Sequence, residues 1–593
     1  MAAGVVLVAL LQWGATDAAF TQATTSSVSL TAGTVSISDD TPGGVLLSAG
    51  DLLPGGVLTQ CVDVTYTGSA PSQVRLYATG ATGALGRELD LRVELGAGGD
   101  HTACTGFVPA TTVYWGSVAD LVTTRTDWAS GLAAFDPGPG PVHRTYRFTF
   151  TLRPDVPASA QGAVAAATYR WEARSRLPVG GLGTVALPGG CANSGGGNGC
   201  TAAGALAQTW DVAVSPDGRN VYAASGDYAS SLVTLVRDPS TGGLSPLGGV
   251  AGCLTHAVVA GCTQVRGLDY AHAVVVSPDG RNVYVTSELD DTLGVYARDP
   301  STGALTQLAG TQGCIRDNGT GGCAPDAQVH FPRELAVSPD GRNVYLTNNS
   351  SQLMIFDRDP RTGALTADGC LTAGANGPCT EEDRLYPLTG LTVSPDGATV
   401  YTSSLLALAR DPLTGALTPL AGTAGCVKAS ATAGCAVDAA LSDPARQVRV
   451  TPDGTQLLVA SDGPGSVLVF ARDVATGAIG GRQQCFATVA GNGCTAVPVL
   501  QGAWTAVPSR DGTAVYVAMA SPGHGVLAFD RDVTTGALTP HPGPGGCLTH
   551  DGNGGACAAV TTLYQDRDLA ESPDGRHLYV GSFASYGVTA LTR

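Results

Sequence analysis

The stretch LAVSPDGRNVYLTN, residues 335–348, places two short apolar segments on either side of the turn SPDG. Valine, leucine and tyrosine alternate with small or polar residues on both sides, which is the pattern of half-buried β-strands. Proline presets φ at the second position of the turn, and glycine takes a conformation that other residues resist. The stretch therefore predicts a β-hairpin.

This hairpin recurs along the chain at a period of about 59 residues. Its turn begins at Ser215, Ser277, Ser338, Ser394, Thr451, Ser509 and Ser572. In the first six copies a third strand and a second turn, such as RDPSTGAL at 298–305, lead into a fourth strand. Four strands at a fixed period are typical of a propeller blade. The predicted fold class is all-β, with a seven-bladed β-propeller.

The seventh copy, residues 569–593, supplies three strands and lacks the fourth. The missing part precedes the first copy: LGTVALPGGCANSGGGNGC at 182–200 matches the fourth strand and cysteine loop of LTPLAGTAGCVKASATAGC at 417–435. We expect the N- and C-terminal strands of the propeller to pair in blade seven. Such pairing closes the ring and removes two exposed sheet edges.

Composition narrows the class of protein. The 593 residues are 44% apolar and include 81 glycines and 35 prolines. The length exceeds one ordinary domain, and the turn-forming residues favour a β-rich protein without long helices. A net charge of −17 argues against sequence-independent binding to nucleic acid or anionic membranes, which needs clustered lysine and arginine.

The sixteen cysteines indicate an oxidising compartment. Metal ligands usually lie two to four residues apart, so pairs nine or ten residues apart favour local disulfides, with zinc as the weaker interpretation. Cys61 and Cys104 remain after the local pairs and are paired with each other. The predicted disulfides are Cys61–Cys104, Cys191–Cys200, Cys253–Cys262, Cys314–Cys323, Cys370–Cys379, Cys426–Cys435, Cys485–Cys494 and Cys547–Cys557.

The first residues have the character of a secretory signal. An apolar run from Ala2 to about Leu11 precedes small residues, so residues 1–19 are predicted to be a signal peptide. The run is too short to span a bilayer, and a buried first strand is the alternative. No later segment is apolar for long enough to span a membrane. The protein is predicted to be secreted or held at the cell surface.

Motifs of the repeat resemble known families. RNVYVTS at 281–287 and RNVYLTN at 342–348 are similar to the YVTN-type and seven-bladed lactonase β-propeller families, over residues 181–593. The resemblance implies a propeller at 182–593 in a group that includes 6-phosphogluconolactonases and many extracellular proteins of unassigned role. Arg333 matches an arginine of the lactonase motif, whereas Glu334 stands where a histidine is expected.

The first part of the chain resembles a different family. Residues 18–38 and 145–173 are similar to the TasA/camelysin family of exported bacterial surface proteins. This implies a jelly-roll-like antiparallel β-sandwich at 20–175, with a linker at 176–181. Some members of that family form biofilm fibres and others are classed as metallopeptidases. The peptidase alternative is weak, because this part has only His101 and His143 and no HExxH motif.

In a propeller the first strand of each blade lines the central channel, and the loop entering it lies at the channel mouth. Five residues before each turn stand Trp210, His272, Arg333, Thr389, Arg446, Trp504 and Arg567. One residue later stand Asp211, Ala273, Glu334, Gly390, Gln447, Thr505 and Asp568. The polar side chains are therefore expected to gather at the mouth.

The cations of this ring suit an anionic or sugar-acid ligand, and the indoles suit a sugar face. A histidine or carboxylate could activate water for ester or lactone hydrolysis. The predicted catalytic residues are His272, Arg333 and Glu334. The predicted ligand-binding residues are Trp210, Asp211, Arg446, Trp504, Arg567 and Asp568. The alternative is that Arg333 with Glu334, and Arg567 with Asp568, merely neutralise a hydrated channel.

No cofactor and no metal in the channel are predicted. The loops DNGTGG at 317–322 and HDGNGG at 550–555 could offer oxygen ligands to Ca²⁺, but turns at glycine-rich loop tips are the favoured interpretation.

Three functions are compatible with these patterns. The preferred one is a secreted surface or matrix protein whose propeller binds a glycan, sugar acid or surface protein at the channel mouth. The first alternative is an extracellular lactone or ester hydrolase. The second alternative is a structural fibre subunit that self-assembles through the N-terminal domain. Nucleic acid is excluded as a partner by the charge.

Overall fold

The structure is a computed structural model. It describes residues 36–41, 52–68, 72–79, 82–128, 130–135, 141–160, 162–175, 181–226, 230–374, 377–441, 445–461 and 465–593. The predicted signal peptide, residues 1–19, and residues 176–180 of the predicted linker lie outside the described residues.

Two antiparallel sheets occupy the region before residue 176. The larger sheet contains, in spatial order, Ile37–Asp39, Val57–Tyr66, Val142–Leu152, Leu89–Ala97 and Val108–Ser117. The smaller sheet contains Leu132–Phe135, Ser72–Thr79 and Thr168–Ser175. The α-helix Val118–Thr124 begins after Ser117, whose side chain accepts a hydrogen bond from the backbone N–H of Asp120 at 3.1 Å.

The two sheets share one apolar core. Val62, Val93 and Phe148 of the larger sheet are fully buried and cluster with Leu76 of the smaller sheet and Leu121 of the helix. Alternate residues of a strand point to opposite faces, so each sheet buries one face here.

Seven further sheets follow along the chain, and we number them 1 to 7. Sheet 1 contains Thr209–Val214, Asn220–Ser225, Ser231–Arg237, Leu244–Pro246, Cys253–Thr255 and Thr263–Gln264. Sheet 2 contains Ala271–Val276, Asn282–Ser287, Thr292–Arg298, Leu305–Gln307, Cys314–Arg316 and Ala324–Pro325. Sheet 3 contains Pro332–Val337, Asn343–Asn348, Gln352–Arg358, Leu365–Thr372 and Thr380–Glu381. Sheet 4 contains Leu391–Val393, Thr399–Thr402, Ala407–Arg410 and Leu417–Pro419, and the short pair Val427–Lys428 and Ala436–Val437 follows it.

Sheet 5 contains Gln447–Val450, Gln456–Ser461, Ser466–Arg472, Ile479–Ala487 and Thr495–Ala496. Sheet 6 contains Ala503–Pro508, Ala514–Met519, Gly525–Arg531, Leu538–Pro540, Cys547–Thr549 and Ala558–Ala559. Sheet 7 contains Asp566–Glu571, His577–Ser582 and Gly587–Thr592 together with Gly183–Thr184, Cys191–Asn193 and Thr201–Ala202. Short 3-10 helices lie at Ala84–Arg87, Ala158–Ala160, Gly197–Gly199, Val250–Gly252, Gly310–Gly313, Thr320–Gly322, Asp383–Leu385, Gly422–Ala424, Pro544–Gly546 and Asn553–Gly555.

The first strand of each numbered sheet, which we call the inner strand, contacts the inner strand of the next sheet. The inner strand of sheet 7 contacts that of sheet 1. In sheet 7, Cys191 is the antiparallel partner of Thr589, and Thr184 is the partner of Leu591. The prediction of an all-β chain with a propeller-type fold is confirmed.

The SPDG turn joins the first and second strands of each sheet. In sheet 3 the Ser338 hydroxyl donates to Asp340 Oδ1 at 2.5 Å and accepts from the backbone N–H of Asn343 at 3.0 Å. Gly341 has φ +69°, a left-handed conformation that costs glycine little. The serine, aspartate and glycine of the motif therefore have structural roles in the turn.

Neighbouring sheets are joined by buried ion pairs, which we call inter-sheet clamps. Arg298, at the end of the third strand of sheet 2, donates from Nη2 to Asp217 Oδ2 at 2.7 Å and from Nε to the Tyr222 hydroxyl at 2.6 Å. Asp217 belongs to the SPDG turn of sheet 1. The equivalent pairs are Arg237–Asp574, Arg358–Asp279, Arg410–Asp340, Arg472–Asp396, Arg531–Asp453 and Arg593–Asp511. Each pair joins a sheet to the one before it, and Arg237–Asp574 joins sheet 1 to sheet 7.

All eight predicted disulfides are formed, and none of the sixteen cysteines is free. Seven of them close the loops that lead into the inner strands. Within the described residues, no helix is both long and apolar enough to cross a membrane.

The N-terminal sheets contact the face of the numbered sheets that carries the SPDG turns. Thr111 donates to the carbonyl of Pro395 at 3.1 Å, and the Arg342 guanidinium lies 4.3 Å from the centre of the Trp115 ring. Asp120 forms an ion pair with Arg281. The disulfide loops, at the other end of the inner strands, therefore lie on the opposite face, which we call the channel mouth.

Candidate functional site at the channel mouth

The start of the inner strands carries the predicted site. Five inner strands contain a register shift at this point, for example between Thr209 and Asp211 and between Asp566 and Asp568. An extra residue in a strand re-aims side chains, so two consecutive residues can face the same side. Both Trp210 and Asp211 are half-buried as a result, one at the mouth and one below it.

A stack of rings and cations crosses the mouth. The Arg567 guanidinium lies 3.9 Å from the Trp504 ring and 5.1 Å from the Trp210 ring. The Arg446 guanidinium also lies 4.5 Å from the Trp504 ring. His272 stacks on Trp210, with ring centres 4.8 Å apart. Five predicted site residues from sheets 5, 6, 7, 1 and 2 thus form one continuous arrangement. Such contacts hold a guanidinium plane in a defined orientation.

Arg333 joins the stack through His272. Its Nη1 lies 3.0 Å from His272 Nε2, its Nη2 lies 2.9 Å from Glu288 Oε1, and its Nε donates to Asn349 Oδ1 at 2.9 Å. Burial and the neighbouring Arg333 charge lower the pKa of His272 to about 3. The imidazole is therefore neutral at pH 7, with Nε2 accepting from Arg333.

Three carboxyl groups lie below the mouth. Asp211 accepts backbone N–H hydrogen bonds from Val274 at Oδ2 and from Val212 at Oδ1, each at 2.7 Å. Burial raises the pKa of Asp211, Asp568 and Glu334, and the charge of Asp568 raises that of Asp211 further. We call these three residues the carboxyl trio. Raised pKa values let such groups exchange protons near neutral pH.

Arg449 and Gln447 complete this layer. Arg449 Nη2 lies 3.9 Å from Asp568 Oδ1, and Arg449 Nη1 donates to Gln447 Oε1 at 2.7 Å. The Arg449 charge lowers the pKa of Glu334 and of Asp568, against the effect of burial. One cation thus stands among three carboxyl groups.

Sequence reasoning missed several of these residues. Arg449 follows Gln447 by two positions, so strand alternation places both side chains on the same face. The sequence could have indicated Arg449, because the equivalent position in the other repeats, two residues before the turn, holds a small or apolar residue. Glu288, Asn349 and Phe583 each immediately follow the second strand of their sheet. Phe583 packs on Trp210, with ring centres 4.9 Å apart. Glu288, Asn349 and Phe583 each stand eleven residues after the serine of their SPDG turn, so comparing this position between repeats would have found them.

A metal ion has one candidate ligand group in the part of the chain that the structure describes. Oxygen or nitrogen atoms of Asp291, Asp317 and His330 lie within 4.8 Å of one another. Asp317 belongs to the predicted calcium loop at 317–322. In the other predicted loop, Asp551 accepts from the backbone N–H of Asn553 at 2.9 Å, as in a loop-tip turn. Calcium binding stays a prediction.

A cavity of about 280 Å³ lies elsewhere, beside the Cys191–Cys200 loop of sheet 7. His550, Tyr564, Thr562 and Ser585 are among its lining residues. None of the predicted catalytic or ligand-binding residues lines it, so it is separate from the channel mouth.

One protein-family model matches part of the chain. The family model described as Lactonase, 7-bladed beta-propeller, matches residues 253–379, which span sheet 2 and most of sheet 3. The match and the seven consecutive sheets support a propeller-type fold similar to that of the lactonase family. Among curated proteins, no sequence matches the chain.

Several solved structures are similar at low identity. A putative 6-phosphogluconolactonase from Bacteroides uniformis is 18% identical, covers 56% of this chain and 84% of its own, and has a TM-score of 0.41. The periplasmic gluconolactonase PpgL of Pseudomonas aeruginosa is 24% identical, with coverages of 47% and 69% and a TM-score of 0.34. Hydrazine synthase of Kuenenia stuttgartiensis is 15% identical, with coverages of 65% and 96% and a TM-score of 0.39.

Proposed function

We propose that the channel mouth is the active site of a hydrolase that opens a lactone or ester of a sugar acid. The observation that carries this proposal is the stack of Arg446, Trp504, Arg567 and Trp210, in which Trp210 and Arg567 immediately precede Asp211 and Asp568 of the carboxyl trio. The match to a lactonase family model supports the reaction type.

The stack accounts for binding. Guanidinium groups attract a carboxylate and can donate to it in bidentate geometry, and the indole faces suit the apolar face of a sugar ring. Because burial and low dielectric strengthen charge interactions, two arginines at a channel mouth favour an anionic ligand strongly.

Residues next to the stack account for the hydrolysis step. An ionised carboxylate such as Glu334 accepts a proton from the attacking water, and Arg333, held by Glu288 and Asn349, polarises the carbonyl oxygen. His272 is neutral and keeps Arg333 in place through Nε2. In this assignment Glu334 is the catalytic base, Arg333 the electrophilic residue and His272 a positioning residue.

The test is a pH-stat assay of the full chain against sugar lactones, acyl lactones and simple esters. We expect turnover, with kcat/KM lowered at least about 100-fold in Arg446→Gln/Arg567→Gln, because two charge-assisted contacts are lost. The matched control is Arg219→Gln/Arg361→Gln, which removes two exposed arginines from turns. Absence of turnover across the panel, or equal activity in both double variants, contradicts the proposal.

The second candidate function is binding without turnover, as in a surface or matrix protein. Two features favour it: His272 Nε2 is occupied by Arg333, and Glu334 stands in place of the histidine of the lactonase motif. Calorimetry with an oligogalacturonate, a polymer of a sugar acid, tests it. Binding that is lost in Arg446→Gln/Arg567→Gln, without hydrolysis of any panel member, supports this second function over the first.

We further infer that the protein is exported and that its N-terminal sheets form a β-sandwich like that of TasA/camelysin proteins. Eight disulfides and the absence of a spanning helix among the described residues are compatible with export. We also infer that the pairing of 183–202 with 587–592 closes a seven-bladed ring. Fractionation of cells tests export, and sedimentation velocity of the mature chain tests whether the N-terminal domain forms fibres.

A further inference from the structure

The cavity of about 280 Å³ beside sheet 7 lies on the face that carries the disulfide loops, because Cys191 and Cys200 both line it. Tyr564, from the segment that leads into the inner strand of sheet 7, lines it as well. So does His550, which lies inside the disulfide loop of sheet 6. The cavity is therefore enclosed by the disulfide loops of two neighbouring sheets.

The disulfide loop of sheet 7 differs in sequence from the other six loops. The residue after its first cysteine is Ala192, which lines the cavity. The equivalent residues of the other loops are larger and apolar: Leu254, Ile315, Leu371, Val427, Phe486 and Leu548. The cavity thus adjoins the loop that has the smallest residue at this position.

The aromatic part of the lining is held in place by neighbouring groups. The centre of the Tyr564 ring lies 4.8 Å from that of His550 and 4.4 Å from that of His524. The His550 backbone N–H donates to the His524 carbonyl at 2.9 Å, and the Gln565 backbone N–H donates to His524 Nδ1 at 3.3 Å. Tyr564 is nevertheless 37% exposed. Its ring is therefore fixed in position and accessible to a ligand.

The polar part of the lining consists of hydroxyl and amide groups. They belong to Asn193, Asn198, Thr561, Thr562, Ser585 and Thr589. Side chains of these types can both donate and accept hydrogen bonds. No aspartate, glutamate, lysine or arginine is among the described residues that line the cavity. The lining therefore suits a neutral ligand that is rich in hydroxyl groups.

Two buried polar atoms of the lining residues, Asn193 Oδ1 and His550 Nδ1, have no hydrogen-bond partner in the part of the chain that the structure describes. The Asn193 amide is oriented through Nδ2, which donates to the Gly197 carbonyl at 3.0 Å. At the equivalent position of sheet 4, Lys428 Nζ donates to the Tyr386 carbonyl at 2.8 Å. Because a buried polar atom without a partner costs free energy, the two atoms favour a ligand that hydrogen-bonds to them.

We propose that this cavity binds a neutral sugar unit of a glycan, at a second binding site apart from the channel mouth. The Tyr564 ring offers an aromatic surface to the apolar face of the sugar, and Asn193, Thr562 and Ser585 hydrogen-bond to its hydroxyl groups. A volume of about 280 Å³ lies at the small end of the range for ligand pockets, which suits a single sugar unit.

The two sites are adjacent in sheet 7. Ala584 lines the cavity, and the preceding residue, Phe583, packs on Trp210 and lies 5.1 Å from the Arg567 guanidinium at the channel mouth. The two sites differ in charge, because the mouth carries arginines and the described lining of the cavity carries none. An anionic sugar and a neutral sugar therefore tell them apart.

Ligand-observed nuclear magnetic resonance of the full chain tests the second site. The probes are the methyl glycosides of glucose, galactose, mannose and N-acetylglucosamine. We expect at least one of them to bind with a Kd on the order of 1 mM, as few contacts are available to one sugar unit. Methyl glucuronide at the same concentration should not displace it, since its carboxylate finds no cation in the described lining of the cavity.

Two variants change the cavity in different ways. Tyr564→Ala removes the ring and should weaken binding at least about tenfold. Ser585→Trp fills the cavity and should abolish binding. The matched control is Tyr386→Ala, which removes the exposed tyrosine at the equivalent position of sheet 4 and should bind as the wild type does. Thermal unfolding establishes that each variant is folded.

Three results would overturn the proposal. The first is the absence of binding for all four methyl glycosides. The second is unchanged affinity in both Tyr564→Ala and Ser585→Trp, which would mean that the sugar binds elsewhere. The third is displacement by methyl glucuronide, which would place both sugars at one site. The proposed hydrolase activity is measured separately in the pH-stat assay, so the failure of one proposal is distinguishable from the failure of the other.

Discussion

Arg593 and Asp511 form a buried ion pair between sheets 7 and 6. Nη2 of Arg593 lies 2.6 Å from both carboxylate oxygens of Asp511, and the two side chains are 1% and 0% exposed. A second carboxylate, Glu571, accepts from Nη1 at 2.7 Å. This pair is the seventh inter-sheet clamp, and it differs from the others by using two carboxylates where they use a tyrosine or glutamine oxygen at Nε.

Loss of a clamp should destabilise the propeller. In Arg298→Ala, Asp217 and the Tyr222 hydroxyl lose their buried partner, so we expect the free energy of unfolding to fall by about 3–5 kcal/mol. Urea unfolding measures the change. Arg219→Ala, which removes an exposed arginine from the SPDG turn of sheet 1, should change stability by less than about 0.5 kcal/mol. Equal effects of the two variants would mean that the clamp adds nothing beyond surface charge.

The disulfide loops should contribute stability individually. Cys314→Ser/Cys323→Ser opens a loop of about ten residues, for which the chain-entropy model gives a loss of about 2.7 kcal/mol. Thermal unfolding with and without reductant provides the measurement, since reductant should abolish the difference between the wild type and the variant. A variant as stable as the oxidised wild type would show that the bridge only fixes its loop locally.

Stability should depend on pH through Asp566. Burial raises the pKa of this carboxyl to about 8 in the folded chain, against 3.8 for an ordinary aspartate. Its stabilising contribution is therefore fully present below pH 3.8 and is lost as the pH rises through about 8. The slope approaches about 1.4 kcal/mol per pH unit for one proton.

Asp566→Asn should remove that slope. We expect the variant to gain stability relative to the wild type between pH 5 and 8, as measured by urea unfolding at each pH. Asp411→Asn is the control, because Asp411 is an exposed loop aspartate whose pKa is lowered by hydrogen bonds from Thr414 and Leu413. Parallel stability curves for the wild type and Asp566→Asn would refute the buried proton.

Arg449 should set the working pH of the trio. Its charge lowers the pKa of Glu334 and Asp568, so Arg449→Gln raises both. We expect the acidic limb of the kcat/KM profile to move up by about one pH unit, since ionised carboxylate forms only at higher pH. An unmoved limb combined with a lower kcat would indicate a purely structural role for Arg449.

Trp504 should orient both mouth arginines, because Arg446 and Arg567 lie 4.5 Å and 3.9 Å from its ring. Trp504→Ala should raise KM about tenfold, which corresponds to the energy of one cation–π contact, and Trp504→Phe should recover most of the loss. Equal KM values for the alanine and phenylalanine variants would argue against an aromatic role.

The sequence predicted the strands and turns well because their determinants are local. Proline, aspartate and glycine of SPDG specify the turn within four residues, and the structure uses each of them in hydrogen bonds or backbone conformation, as at Ser338 and Gly341. The disulfide pairs follow from spacing for the same reason. Because the sequence repeats, the same turn and strands form again in each repeat along the chain.

The site was only partly predictable. Reading the same position in each repeat collected Trp210, Arg446, Trp504 and Arg567, because equivalent positions of a propeller meet at its axis. It did not reveal that Arg333 contacts His272 Nε2, or that Arg333 forms an ion pair with Glu288. Those contacts depend on side-chain orientation between sheets, which no periodicity encodes.

By itself, then, the sequence determined an all-β repeat protein with local disulfide loops, since turn chemistry and strand alternation act over a few residues. Only the tertiary structure decided which polar groups share a hydrogen bond, an ion pair or a ring face. Arg333 contacts His272, and Arg593 contacts Asp511, although the partners lie in different sheets and are distant in the chain. Contacts of that kind depend on the packing of whole sheets, where distance in space is independent of distance in sequence.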